Sequence, residues 1–405
     1  MLNLISLTDG PEMNIKTNPT KTYKVLICDL VGLKLGANGE PDPIEVRNYI
    51  EAAGGVFHTS GLDTAVQLSK GRINFFYLPD ISTEEELLHE TRDARYDGVI
   101  AAATVLPEKS VFGIAGVRIG AGTGNMQSAS WGGGDGIGGN AVLMNTPGLN
   151  SVATAQMVMR GLLKFAPDLP FEHLHDLVMA SDFDTGRDLR RFPTEKLEGK
   201  RLSVLGYGNI GREVAKLGKA FGMLVTIYAR SHRREQIEAE GFRFSGNPVQ
   251  AATDADVVSV HIGLGQFNAD DKQYANYGFI GSDILSAMSD ESILINFDRG
   301  EVVDVQALDT AMANNKVFAA AIDADIFRTE DGILSGPLTP YIPLAHRYPG
   351  RILLLPHAAA DTDHPSRVAG AKQAVDQMIA AIHSGEISNL KGDLPNDFYI
   401  NTVKL

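Results

Sequence analysis

The segment Leu202-Ser203-Val204-Leu205-Gly206-Tyr207-Gly208-Asn209-Ile210-Gly211 decides the fold. A short apolar strand runs into glycines spaced G-x-G-x-x-G, and a helical stretch follows from Gly211 to Phe221. Glycine is common, so the spacing alone is a weak signal. Its weight comes from the strand before it and the helix after it. In that context Gly206 permits a tight turn, Gly208 lets the backbone approach a pyrophosphate, and Gly211 allows close contact between helix and strand. The helix start then turns free N–H groups and a partial positive charge toward phosphate oxygens. The pattern predicts that Gly206, Tyr207, Gly208, Asn209, Ile210 and Gly211 cradle a dinucleotide, with a plain structural turn as the alternative.

The following strand ends Val225-Thr226-Ile227-Tyr228-Ala229-Arg230-Ser231, with Arg233 and Arg234 close behind. A chain selective for NAD usually places an acid near this point to hold the ribose 2′-hydroxyl. An acid would repel a 2′-phosphate, whereas arginine pairs with one in bidentate fashion. Ala229, Arg230 and Ser231 therefore predict contacts to NADP(H), with NAD(H) as the alternative if these arginines only form a solvated helix start.

Outward from this segment, strands alternate with helices along the whole chain. Strands are expected at Arg201–Leu205, Leu224–Tyr228, Val257–His261, Ser292–Asn296, Ala319–Asp323 and Ile352–Leu355. Six parallel strands make a complete dinucleotide-binding sheet. An earlier alternation has strands at Lys24–Asp29, Ile73–Leu78, Gly98–Ala103, Val117–Gly120 and Ala141–Met144. It also has a helix at Thr83–Ala94, begun by Thr83 and Glu86 in capping-box spacing. Strand–helix alternation implies parallel sheets covered on both faces. A long apolar helix is expected at Ser151–Phe165, charged surface helices between Ala166 and Gly199, and a closing helix at Pro365–Ser384. The run from Trp131 to Gly139 is so rich in glycine that it reads as a surface loop.

Length and composition agree with this reading. Two domains are expected for 405 residues, and 44% hydrophobic with 21% charged residues is ordinary for a globular chain. Lysine and arginine total 36 against 50 acids, a net charge of −14, which argues against nucleic acid and anionic membranes as partners. No apolar run is long enough to span a bilayer. One cysteine, Cys28, cannot form an internal disulfide, so a reducing, cytoplasmic setting is expected. The stretch Met1 to Tyr23 lacks the features of a signal peptide and reads as a loose leader or an oligomer arm. No metal site is indicated.

Three further segments end strands of the second alternation. They are Asn296-Phe297-Asp298-Arg299-Gly300, Asp323-Ala324-Asp325-Ile326-Phe327-Arg328-Thr329-Glu330, and Pro356-His357-Ala358-Ala359. Ligands of parallel sheets bind beyond the carboxyl ends of the strands, so Arg299, Glu330 and His357 can converge there. Arg299 suits an anion, His357 can give or take a proton, and Glu330 can orient His357 and favour its charged form. The plainer alternatives are a surface ion pair for Arg299, a loop carboxylate for Glu330 and a core histidine for His357.

Together with the glycine cluster, these segments resemble the D-isomer-specific 2-hydroxyacid dehydrogenase family. The resemblance extends through Val117-Arg118-Ile119-Gly120-Ala121-Gly122-Thr123-Gly124-Asn125 and Met144-Asn145-Thr146-Pro147-Gly148. It implies two Rossmann-like domains. A six-stranded dinucleotide-binding sheet at 151–359 is inserted into a flavodoxin-like substrate domain at 1–150 and 360–405. It also implies a homodimer, and a substrate cleft whose closure excludes water. His261, Asp298, Asp323 and Ala359 are implied to line the cofactor, with His261 mainly structural. Ala103, Gly122, Thr123 and Gly124 are implied to offer backbone amides to the substrate carboxylate.

The chain departs from the family pattern in places. The Asp-Val-Phe match falls on Asp325-Ile326-Phe327, two residues after Asp323, which stretches the spacing from Arg299 to Glu330. The helix after Gly148 reads Val152-Ala153-Thr154-Ala155-Gln156 where Val-Ala-Glu is usual, and the glycine loop is long. The loop Ala101-Ala102-Ala103-Thr104-Val105-Leu106-Pro107 has no cation for a phosphate dianion, so 3-phosphoglycerate is not the expected substrate. The best reading is a 2-keto acid reductase using NADP(H). The alternatives are a dehydrogenase of a small anion, like the formate and phosphite relatives, and a dinucleotide-sensing scaffold.

Overall fold

A computed structural model describes residues 21–64, 67–81, 83–167, 169–268, 273–328, 331–396 and 398. Most of the expected leader and the expected orienting acid Glu330 lie outside the described residues. The chain divides into two compact units, Met1–Leu149 with His364–Leu405, and Asn150–Asp363.

The first unit is built on a seven-stranded sheet. From one edge its strands are Val56–His58, Ile73–Tyr77, Tyr23–Ile27, Tyr96–Ala101, Phe112–Arg118, Val142–Asn145 and Leu390–Lys391. All neighbours run parallel except the last pair. Without the two short edge strands, the order in chain sequence is 2-1-3-4-5, that of flavodoxin-like folds. Ile73–Tyr77 and Val142–Asn145 are buried throughout. That follows from helices lying on both faces, which turns each central strand into a continuous buried run. One face packs on the helix His364–His383 through Ala371, Val375 and Met378. The other gathers Phe76, Leu87, Tyr96 and Trp131. Thr83 and Glu86 form both halves of the capping box at the start of Glu84–Thr91.

The second unit also has a seven-stranded sheet, every pair parallel. Its order is Arg243–Ser245, Leu224–Tyr228, Arg201–Leu205, Val257–Val260, Ser292–Asn296, Val317–Asp323 and Ile352–Leu355. In chain sequence this is 3-2-1-4-5-6-7, the dinucleotide-binding order with a seventh strand appended. The expected six-stranded sheet is thus corrected to seven. The unforeseen strand, Arg243–Ser245, is three half-exposed residues at an edge, too short to print an apolar pattern. The same holds in the first unit for Val56–His58 and Leu390–Lys391. The helix Ser151–Phe165 lies at the expected bounds and packs on Asn209–Ala220. No described helix is long and apolar enough to cross a membrane.

The glycine run of the first unit does not behave as a loose surface loop. Trp131 is 1% exposed, stacks on Phe112 at a centroid distance of 5.5 Å, and donates its indole N–H to the Met126 carbonyl at 2.9 Å. Gly116, in the strand below, leaves the space the ring occupies, since a Cβ there would stand 2.7 Å from the indole. The backbone then turns back through bonds from Asn140 and Ala141 to the Ser130 carbonyl and from Gly136 to Gly133. The glycines permit this tight path, and the tryptophan anchors it. Trp131→Ala is expected to lower the unfolding free energy of the first unit by about 3–5 kcal/mol, read from denaturant titration by circular dichroism. A change below about 1 kcal/mol would show that the ring is not an anchor.

Candidate functional site

The second unit's sheet reverses its order between Arg201–Leu205 and Val257–Val260. Chains leave these neighbouring strands in opposite directions, and a crevice opens at their carboxyl ends. The glycine segment lies there. Gly206 has a φ of +107°, and a Cβ on it would stand 2.0 Å from the His261 carbonyl oxygen. A Cβ on Gly211 would stand 2.2 Å from the Gly206 carbonyl oxygen. A Cβ on Gly208 would meet nothing within 4 Å. Two glycines thus admit backbone to backbone, and the third faces open space. The helix Asn209–Ala220 begins at Gly208 with no side-chain cap, so its first N–H groups remain available. The donors and the cleared approach suit a pyrophosphate.

Tyr207 lies inside the segment, yet its ring is buried against Phe242 and its hydroxyl donates to Glu240 Oε2 at 2.7 Å. Arg212 donates to the same oxygen at 3.0 Å. Tyr207 therefore offers a ligand its backbone alone.

At the end of Leu224–Tyr228, Ala229 is buried and Arg230 is exposed. The neighbouring arginines are engaged, Arg233 with Gln236 and Arg234 with Glu238. The Arg230 carbonyl accepts from the Arg233 amide at 2.9 Å, while the Arg230 guanidinium makes no hydrogen bond or ion pair among the described residues. Ser231 beside it is exposed.

His261 is 8% exposed and shares its Nε2 with Ser259 Oγ at 2.8 Å. Burial pushes its titration down to about 3, so the ring is neutral near pH 7. Its Nδ1 is buried without a partner among the described residues.

The remaining groups lie at the carboxyl ends of three adjacent strands, Ser292–Asn296, Val317–Asp323 and Ile352–Leu355. Asp298 accepts from the Gly263 amide at 3.0 Å. Burial raises its carboxyl above the usual range, while that amide and the charges of Arg299 and His357 pull it back. Asp323 accepts from the amides of Ala358 at 2.7 Å and Ala359 at 3.0 Å. It fixes the turn that follows His357, a residue held at φ +54°. Burial raises the Asp323 carboxyl too, with His357 and the two amides opposing.

Arg299 donates through Nη1 to Asp325 Oδ2 at 3.0 Å, and His357 Nδ1 lies 3.8 Å from Asp325 Oδ1. Arg299 and His357 thus face a single carboxylate. Asp325 was the residue missed by reading the sequence, where it served only to mark a stretched match. The signal was a second acid just past a strand end: Asp323 is the last residue of Val317–Asp323, so Asp325 lies in the segment beyond it, where strand alternation no longer sets its direction.

In the first unit, Gly122, Thr123 and Gly124 follow the Phe112–Arg118 strand, and their amides donate to nothing among the described residues. Thr123 Oγ1 donates to the Gly134 carbonyl at 2.7 Å, which ties this turn to the glycine run. Ala103 differs from what was expected. Its amide, with those of Ala102 and Thr104, donates to the Asp29 carboxylate at 2.6–3.1 Å. A side chain of the fold already holds the anion position of that loop.

Residues 170–359 match the sequence profile of the D-isomer specific 2-hydroxyacid dehydrogenase NAD binding domain. A glyoxylate reductase of Aeropyrum pernix is 32% identical over 245 residues, covering 58% of this chain and 65% of the relative. A D-3-phosphoglycerate dehydrogenase of Methanocaldococcus jannaschii is 26% identical over 321 residues, covering 78% of this chain and 54% of the relative. The chain thus spans less than two thirds of the length of both. Among solved structures, an NAD+-bound 3-phosphoglycerate dehydrogenase of Entamoeba histolytica superposes with a TM-score of 0.62 at 18% identity, covering 92% of this chain and all of that one. At that identity the likeness concerns the fold.

The glycine geometry separates folding from ligand approach. Gly211→Ala forces a Cβ onto a carbonyl and should cost about 1–3 kcal/mol of stability in thermal unfolding. Gly208→Ala should unfold within about 0.5 kcal/mol of wild type. It should still weaken reduced dinucleotide binding, read by nicotinamide fluorescence, at least tenfold. Full affinity in Gly208→Ala would rule out a pyrophosphate at that backbone.

Proposed function

We infer that the chain belongs to the D-isomer-specific 2-hydroxyacid dehydrogenase family, whose NAD binding domain profile matches residues 170–359. From that premise we propose that it transfers hydride between NADP(H) and a 2-keto acid or D-2-hydroxy acid that carries no phosphate. The observation behind this reading is that Arg299 and His357, which follow the two strands flanking Val317–Asp323, face the same carboxylate. A holder for the substrate's carboxylate and a proton donor thus stand side by side.

Gly206–Gly211 would hold the pyrophosphate of the dinucleotide, and Ala229, Arg230 and Ser231 the adenine ribose. When bound, the dinucleotide supplies the hydride. The chain supplies the rest. Arg299 binds the carboxylate and draws electron density from the C2 carbonyl. The new C–H bond forms as the carbonyl π pair moves onto oxygen, and His357 gives that oxygen a proton. Nδ1 faces Asp325, so Nε2 is the atom left to donate. Oxidation runs the same steps backward, with neutral His357 taking the hydroxyl proton. His261, neutral and engaged with Ser259, is a lining residue and has no proton role. In the first unit, Gly122, Thr123 and Gly124 carry the amides proposed to bind a carboxylate. Ala103 is not among them, because Asp29 holds its N–H.

NADP(H) preference rests on Arg230, the exposed guanidinium that no described residue engages. Exclusion of phosphoglycerate rests on the loop 101–107, which has no cation and is backed by the Asp29 carboxylate. A phosphate dianion there would meet a like charge. Relatives with both glyoxylate and phosphoglycerate names match, so names alone do not select the acid. The homodimer expected of the family has a surface to use. The helix Phe171–Met179 has no buried residue and exposes Phe171, Val178 and Met179, an apolar face for a second copy to cover.

Oxidation of NADPH with glyoxylate, hydroxypyruvate, bulkier 2-keto acids and phosphohydroxypyruvate tests the proposal. Wild type should favour an unphosphorylated acid, and His357→Ala should lose roughly 100- to 10,000-fold in kcat. Arg230→Ala should cut kcat/KM for NADPH roughly tenfold to a hundredfold and leave NADH nearly unchanged. An enzyme inert on every acid, or a His357→Ala variant as active as wild type, would defeat the mechanism. A wild type that prefers NADH would defeat the cofactor assignment. Turnover of formate or phosphite instead would move the function to oxidation of a small anion.

A further inference from the structure

Four carboxylates are candidates to serve the site formed by Arg299 and His357. Glu330 was expected from the sequence and lies outside the described residues. Asp298 is engaged by the Gly263 amide, and Asp323 spends both oxygens on the amides of Ala358 and Ala359. Asp325 is the carboxylate whose two oxygens face side chains. Oδ2 accepts from Arg299 at 3.0 Å, while Oδ1 stands 3.8 Å from His357 Nδ1, an ion-pair separation longer than a hydrogen bond. That Nδ1 is buried and has no hydrogen-bond partner among the described residues.

The backbone around this contact is held in place. The Asp325 carbonyl accepts from the Leu338 amide at 3.1 Å, and Gly336, at φ +100°, lets the segment before Leu338 approach that carbonyl. The Arg299 carbonyl accepts from Asn296 Nδ2 at 2.9 Å, and Tyr341 donates to the next carbonyl, that of Gly300, at 2.6 Å. A contact supported from both sides is built into the fold.

We propose that Asp325 is a positioning residue that couples Arg299 to His357, a role that rests on the keto-acid reading above. Without substrate, its carboxylate balances the guanidinium. An arriving substrate carboxylate must share or take that guanidinium, which releases Asp325 toward His357. With Arg299 and His357 both cationic, Asp325 and the substrate anion make the cluster of four neutral. The proton donor is thereby held in place as the substrate settles. Aspartate at this position acts against anion affinity and in favour of turnover. A merely structural residue would not split the two.

Asp325→Asn, Asp325→Glu and Glu330→Gln in the full chain test this. The probe is oxalate, a dianion resembling a 2-keto acid, titrated by calorimetry into the NADPH complex. Steady-state reduction of the best 2-keto acid is measured alongside. Asp325→Asn should bind oxalate about threefold more tightly than wild type and lose roughly tenfold or more in kcat, as misplacement of a donor does. Asp325→Glu should regain much of that kcat. Glu330→Gln should leave oxalate affinity unchanged. Weaker or unaltered oxalate binding by Asp325→Asn, or a kcat within twofold of wild type, overturns the role. So does a wild type that binds no oxalate, because Arg299 would then not be an anion site. Should wild type reduce no 2-keto acid, the proposed function fails while the oxalate comparison still decides whether Asp325 competes for Arg299.

Discussion

The second unit depends on one close approach of three backbones at the point where its sheet reverses direction. Gly206 lies under the His261 carbonyl, and Gly211 lies on the Gly206 carbonyl. A methyl at either position would stand about 2 Å from an oxygen. With hydrogens there instead, the Asn209–Ala220 helix starts against the sheet, its first amides aimed into the crevice. Those amides need an anion or water, because no side chain caps them. The same contact that closes the fold therefore creates the phosphate site. Packing and ligand chemistry share it, and a larger residue could not preserve one while losing the other.

From that crevice the sheet runs on through Ser292–Asn296, Val317–Asp323 and Ile352–Leu355, and the turns after these strands collect charge. Two aspartates two residues apart divide the work. Asp323 holds backbone, so the turn bearing His357 is rigid. Asp325 faces side chains, so Arg299 and His357 look onto one carboxylate. Such a cluster is only partly shielded from water. The pairing accordingly adds little to stability. Its value lies in orientation.

Much of this was legible in the sequence because the signals were long or chemically constrained. A central strand such as Ser292–Asn296 is buried on both faces and prints an apolar run, so its bounds matched, and the half-buried edge strand Ile352–Leu355 was legible because all four of its residues are apolar. The Thr83–Glu86 box was legible because capping fixes two residue types at a fixed spacing. The edge strands Val56–His58 and Arg243–Ser245 print nothing, being three residues long and half exposed. Trp131 was misjudged because the glycines around it signal turns, whereas the ring's burial is decided by Gly116 in another strand. Asp29 and Asp325 were missed for the same reason. Each acts on groups far along the chain, the amides of 102–104 and the side chains of Arg299 and His357, and no local pattern records that.

Global and local electrostatics pull in opposite directions in this chain. A net charge of −14 repels a small anion at long range, and salt screens that repulsion within about 10 Å. Within the second unit, the groups that can attract an anion are Arg299 and the uncapped helix amides. Backbone donors contribute no net charge and arginine contributes one, so the acidic surface is left almost unchanged. In the first unit, Asp29 fills the amides of 102–104 with a carboxylate of the chain itself. An anion must bring enough direct hydrogen bonding to overcome the field around it. A single planar carboxylate does so against one guanidinium, while a second, unmatched dianion adds repulsion without a partner. The selection against phosphate proposed above rests on this sparseness of positive charge.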